Sequence, residues 1–148
     1  MERILIILAT TITFISISSV TFSETCPSAH LVKHNSYGAQ WKAYDSRDQL
    51  IRKDQLPNVF QFADKLTLVE WSKSQGKTGD IRCYYQDKHG SHLEVYLANR
   101  HYTPVNTQHV WYQVTGHLHC AAGVSKCEFS TSPLYAKRKA IQHEIASQ

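Results

Sequence analysis

Beyond residue 60, polar and apolar residues alternate with a period of two, the pattern of half-buried β-strands. Over 65–71, Leu66, Leu68 and Glu70 alternate with Thr67, Val69 and Trp71. A polar, glycine-bearing stretch over 74–80 then reads as a turn or loop. Ile81, Cys83 and Tyr85 resume on one face, with Arg82, Tyr84 and Gln86 on the other. Asp87-Lys88-His89-Gly90 reads as a turn, and Leu93, Val95 and Leu97 form the next apolar face, which predicts a β-hairpin. The longest alternation covers 109–120. Val110, Tyr112, Val114, Gly116, Leu118 and Cys120 fall on one face, and Trp111, Gln113, Thr115, His117 and His119 on the other. Gly116 marks a bulge or bend within that run. The segment 124–129 is expected to return as a strand and 40–44 to form a short one, whereas 58–62 is ambiguous.

The period changes near the C-terminus. Ser132 suits an N-cap and Pro133 a first helical position. Leu134, Ile141 and Ile145 recur at helical spacing, interrupted by Arg138, so a thinly apolar helix is expected over 133–146. The pattern as a whole predicts a mainly β fold: an antiparallel sheet of about five or six strands with one C-terminal α-helix.

The front of the chain follows neither period. Met1, Glu2 and Arg3 precede an uncharged apolar run over 4–20, followed by Thr21-Phe22-Ser23 and Glu24. A short charged start, an apolar core and small residues before a polar junction read as a secretory signal peptide over 1–23, cleaved after Ser23. The run is short for a spanning helix, is diluted by threonine and serine, and lacks a basic stop-transfer cluster, so no stable membrane anchor is expected after cleavage. Cys26 follows Glu24-Thr25 rather than small residues, which argues against a lipoprotein. Residues 24–148 then form a single exported domain, secreted or periplasmic.

Export changes the reading of the cysteines. Cys26, Cys83, Cys120 and Cys127 are four, an even number in an oxidising compartment, which argues for two disulfides. Three pairings are possible. The turn-like Ala-Ala-Gly-Val-Ser-Lys between the last two favours Cys120–Cys127, with Cys26–Cys83 tying the exported N-terminus to mid-chain. The absence of a Cys-x-x-Cys pair weakens a zinc alternative.

Composition narrows function little. The 148 residues are 42% hydrophobic, within the globular range, and the net charge of +4 is too small to argue for nucleic acid. Gly76-Lys77-Thr78 lacks the earlier glycine of a phosphate-binding loop, where Trp71 stands, and reads as a turn. Ser74-x-x-Lys77 and Lys77-Thr78-Gly79 share one lysine and match penicillin-binding enzymes only by coincidence. There is no Gly-x-Ser-x-Gly, no thiol to spare, and no catalytic residue to name. Of nine histidines, only His117 and His119 have useful spacing, about 7 Å apart on one strand face. They form either a solvated polar face or an acid–base or metal-sharing pair, with His92 or His101 as possible completing ligands. Two ligands alone leave a zinc site half-built, so no metal and no cofactor are expected. Trp41 and Trp111 are candidates for an aromatic binding surface, against the more common role of core packing. Lys137-Arg138-Lys139 reads as a solvated helix face or a contact for an anionic surface.

Cys26-Pro27 just after a signal, Trp41 in a short strand, Cys83-Tyr84 in mid-chain, Trp111, and the closing Cys120 and Cys127-x-Phe129 together resemble a family of small exported gammaproteobacterial proteins. Their cysteine-rich domain has no known function. The resemblance covers Cys26 to Phe129 and leaves the terminal helix outside. It implies export and disulfides and carries over no catalytic residues. Two classes of function stand: an exported domain binding a protein, glycan or surface ligand, and a small hydrolase or metal-dependent enzyme using His117 and His119. A polar pocket clustered around those histidines favours the enzyme; a shallow surface with exposed aromatics favours the binding domain.

Overall fold

The computed structural model describes residues 23–75, 78–105 and 107–131. The signal segment up to residue 22, the helix expected over 133–146, its cluster Lys137-Arg138-Lys139, and the loop residues Gly76 and Lys77 lie outside them. Among the described residues the strands are β1 Ser23–Glu24, β2 Lys42–Asp45, β3 Lys65–Gln75, β4 Thr78–Gln86, β5 His92–Pro104, β6 Tyr112–Val114, β7 His117–Cys120 and β8 Phe129–Thr131. Three short helices accompany them: α1 Ala29–Lys33, α2 Leu56–Val59 and α3 Thr107–Val110. The strands form one antiparallel sheet in the order β1-β8-β5-β4-β3-β7-β6. Long β5 pairs with β4 along one side, and with both β2 and β8 on the other.

Eight strands replace the expected five or six, because β1 escapes the alternation and the run over 109–120 divides in two; the strands also differ in length. β1 and β8 have two and three residues, too few to show a period. The pairing of β3 with β4 runs on to Gln75↔Thr78, through Ser72, Lys73 and Ser74, where no apolar residue reveals the alternation. The run over 109–120 is not one strand. Its start joins α3, and Thr115 (φ 45°) and Gly116 (φ 85°) both take left-handed backbone, the geometry of a two-residue hairpin turn. The chain therefore doubles back. Tyr112 pairs with His119 and Val114 with His117, so both stand on the histidine face rather than with Leu118 as alternation alone implied. The expected strand over 124–129 begins only at Phe129, and it joins β1 and β5, not β7.

One face of the sheet is the core. Along β4, buried Gly79, Ile81, Cys83 and Tyr85 alternate with half-exposed neighbours. Cross-strand pairing aligns Cys120, Val69, Cys83, Leu97 and Ala43 in one buried row over five strands. The Ser28 side chain caps α1 by accepting from the Leu31 N–H at 3.4 Å, and the helix buries Ala29 and Val32. Phe60, just after α2, packs edge-on to Tyr85 and to Tyr37.

Both disulfides have the expected pairing, Cys26–Cys83 and Cys120–Cys127, and all four cysteines are buried. The first joins the segment before α1 to the central strand β4. Beside it the Tyr85 hydroxyl donates to the Pro27 carbonyl at 2.7 Å, and burial pushes its phenol far above the ordinary range. Tyr85→Phe leaves that carbonyl unpaired in the core. A loss of about 1–3 kcal/mol in urea unfolding is expected, and an unchanged midpoint would show that the bond contributes nothing.

β1 begins at Ser23, so the boundary expected between Ser23 and Glu24 falls inside it. Glu24 holds the rest of the strand, pairing with Phe129 and accepting from the Tyr102 hydroxyl at 2.8 Å.

Candidate functional site

The second face of the sheet is built from the polar halves of the same alternations. Successive register pairs line up one row across it: Tyr112 with His119, His119 with Glu70, Glu70 with Arg82, and Arg82 with Ala98. The neighbouring row on one side brings together His117, Ser72 and Asp80 from β7, β3 and β4. On the other side Leu68, Tyr84, Tyr96 and Tyr44 form a third. The loop after β2 reaches this face through Asp48, held in left-handed backbone at φ 59°.

His117 and His119 thus share a face, as their spacing predicted, but they do not stand alone. Their partners come from β3, distant in sequence. Glu70 Oε2 lies 3.2 Å from His119 Nε2, and Glu70 Oε1 lies 3.8 Å from the Arg82 guanidinium. Ser72 Oγ sits 2.7 Å from His117 Nδ1 and donates to Glu70 Oε1 at 3.4 Å. A hydroxyl carries one proton. When Ser72 gives it to Glu70, His117 must donate from Nδ1, which fixes that ring's tautomer. The signal for this cluster was the presence of Glu70 and Ser72 on the polar side of Trp71. It identifies no partner until the strand order is known.

Arg82 is the hub. Burial works against its charge, but Tyr84, Tyr96 and Asp48 more than offset this and hold its pKa above the ordinary value. Its guanidinium lies 5.1 Å over the Tyr96 ring and 3.6 Å from Asp48. The Tyr96 hydroxyl donates to Asp48 at 2.5 Å. Burial first, and that carboxylate second, push the Tyr96 phenol well up. Burial also raises the Tyr84 phenol. Tyr44 stacks on Tyr96, and Tyr112, at the sheet edge, is 49% exposed against His119.

Of the two roles open to Trp41 and Trp111, the structure gives them core packing, and they form no aromatic surface. Both are 6% exposed and belong to the core, with Trp41 edge-on to Phe129. Alternation had put Trp111 on the histidine face, but it stands between α3 and β6, outside any strand. The exposed aromatic on the histidine face is instead Tyr112. His92 and His101 do not complete a ligand set. His92 pairs with Gln86 and lies 3.4 Å from Thr67, and His101 is exposed near the other end of β5. Among the described residues no group of three or more His, Cys, Asp or Glu side chains is placed to hold a metal ion.

The site can therefore offer alternating donors and acceptors with an aromatic edge. A serine nucleophile needs more. Its base must accept the hydroxyl proton on one ring nitrogen while a carboxylate holds the other nitrogen of the same ring. Here Ser72 meets His117, whereas Glu70 meets His119. No family model, curated protein or solved structure matches the chain.

Proposed function

We propose that this chain is an exported, disulfide-bonded binding domain, secreted or periplasmic, that uses the second face of its sheet to hold a protein, glycan or surface ligand. The observation that carries this reading is the cross-strand row Tyr112–His119–Glu70–Arg82, a half-exposed set of oriented hydrogen-bonding groups ending in an exposed aromatic ring. Flanking tyrosines stiffen the row. Rigid polar groups beside an amphipathic ring suit recognition, because little side-chain freedom is lost on binding. Two disulfides fit a compartment outside the reducing cytosol. Among the described residues no helix is long and apolar enough to cross a membrane. The likeness to small exported gammaproteobacterial proteins belongs to the same proposal.

Fractionation of a producing culture, followed by probing glycan arrays and envelope fractions, tests both halves. The expected outcome is an oxidised chain beginning at Glu24 in the periplasm or medium, and a bound ligand whose retention falls about tenfold on Tyr112→Ala with Arg82→Gln. A chain still beginning at Met1 in the membrane fraction defeats export. Retention untouched by both substitutions defeats the face.

A second reading, a small secreted hydrolase using His117 and His119, draws on the 2.7 Å contact between Ser72 and His117. The split relay weighs against it. Ester hydrolysis abolished by Ser72→Ala would reverse that order.

A further inference from the structure

Beside β2, at the edge of the sheet, lies a half-open cavity of about 620 Å³. Its floor is apolar and aromatic. Trp41 and Ala43 are buried there, and Tyr37, Ile51 and Leu56 pack against the same core. Leu50, 58% exposed, stands at the rim, among the most exposed large apolar side chains described. Every charged residue in the lining is cationic: Lys42, Arg52 and Lys53. Arg52 is paired with Asp54, outside the cavity, while Lys42 and Lys53 take part in none of the ion pairs among the described residues.

The lining thus joins an apolar floor to a rim of a single charge sign. The volume is in the range of small-molecule sites, which are concave, mainly apolar and carry few oriented polar groups. An apolar floor without an acid at the rim rejects a cation. The Tyr37 hydroxyl is buried in that floor without a hydrogen-bond partner among the described residues, but a polar neutral molecule would leave both the apolar floor and the cationic rim unmatched. The complementary occupant has an apolar body and one anionic head.

We propose that this cavity binds a free, monomeric amphipathic carboxylate, its hydrocarbon body against Trp41, Ile51 and Leu56 and its head between Lys42 and Lys53. Lys42 continues the histidine-face row through Ala98, so the cavity opens at the edge of that face, but the proposal does not depend on the binding role assigned there.

Isothermal titration of the oxidised full-length domain with dodecanoate, below its micelle concentration, tests this. Dodecyltrimethylammonium and dodecanol serve as cationic and neutral counterparts. One equivalent of dodecanoate is expected to bind, with the cation binding at least tenfold more weakly. Lys42→Glu with Lys53→Glu should weaken dodecanoate on the order of tenfold and leave dodecanol unchanged, since two exposed ion contacts are worth about that much. Ala39→Trp, an exposed rim position, should block both, with the near-ultraviolet circular dichroism of the remaining core confirming a folded chain. Equal binding of anion and cation, no binding of any probe, or binding indifferent to Ala39→Trp would overturn the assignment. So would binding confined to anionic phospholipid vesicles, which would make the lysines a membrane contact instead.

Discussion

Replacing Cys26 and Cys83 together by alanine is expected to lower the unfolding free energy by about 4 kcal/mol, and replacing Cys120 and Cys127 by only about 2.4 kcal/mol. The difference comes from the loops. The first bridge spans 57 positions and the second 7, and a longer loop removes more freedom from the unfolded chain. The position adds to it. Cys83 is fully buried in the central strand between Val69 and Leu97, so losing its sulfur also opens the middle of the core row. Urea unfolding of both double variants under oxidising conditions gives the comparison. Equal losses would mean that the unfolded chain is already compact around Cys26 or that the core relaxes to fill the gap.

Gly79→Ala is expected to cost about 3 kcal/mol or more, at the top of the range for added volume in a packed interior. A Cβ at this position would lie 2.2 Å from the Ser72 carbonyl oxygen and 2.7 Å from Trp71 Nε1. Neither atom can yield cheaply. The oxygen belongs to the neighbouring strand, and the indole donates to the Tyr102 carbonyl at 2.9 Å. Register irregularities already flank the site, between Lys73 and Gln75 and between Gly79 and Ile81. The backbone of β3 comes close only because this side chain is missing. Gly90→Ala is the control. It meets nothing within 4 Å and suffers only from its positive φ, a cost of roughly 1–2 kcal/mol. A thermal or urea series in which the two variants lose equal stability would show that the close approach at Gly79 relaxes without strain.

Sequence periodicity was most informative where one face is buried along its length. Ile81, Cys83 and Tyr85 show it best, and their placement also made Cys83 a sensible partner for Cys26. Periodicity failed where it had nothing to contrast. The polar end of the β3–β4 hairpin and the two- or three-residue strands β1 and β8 carry too few apolar positions to register. Gly116 was visible as an interruption, but a period of two reads the same before and after a tight hairpin, so the reversal at Thr115 stayed hidden. The candidate site shows the deeper limit. His117 and His119 were legible as a pair because they stand two positions apart on one strand. Their pairing with Ser72 and Glu70 depends on β7 lying beside β3, and strand order is a long-range property. The short helix α1 had its own local signal, Ser28 ahead of Ala29 and Val32, and went unread because it lies outside the alternating half of the chain.

The pairing of β1 with β8 has a consequence for the order of events in the life of the chain. Residues 23–24 meet residues 129–130, so the sheet closes only after nearly everything between them has emerged. Cys26 likewise waits for a partner 57 positions later. Contacts of such high sequence separation form late and slowly. For the export proposed above, this wiring means a chain that stays unfinished during passage through a narrow channel. It reaches its final form only once the last strand is free and an oxidant is at hand.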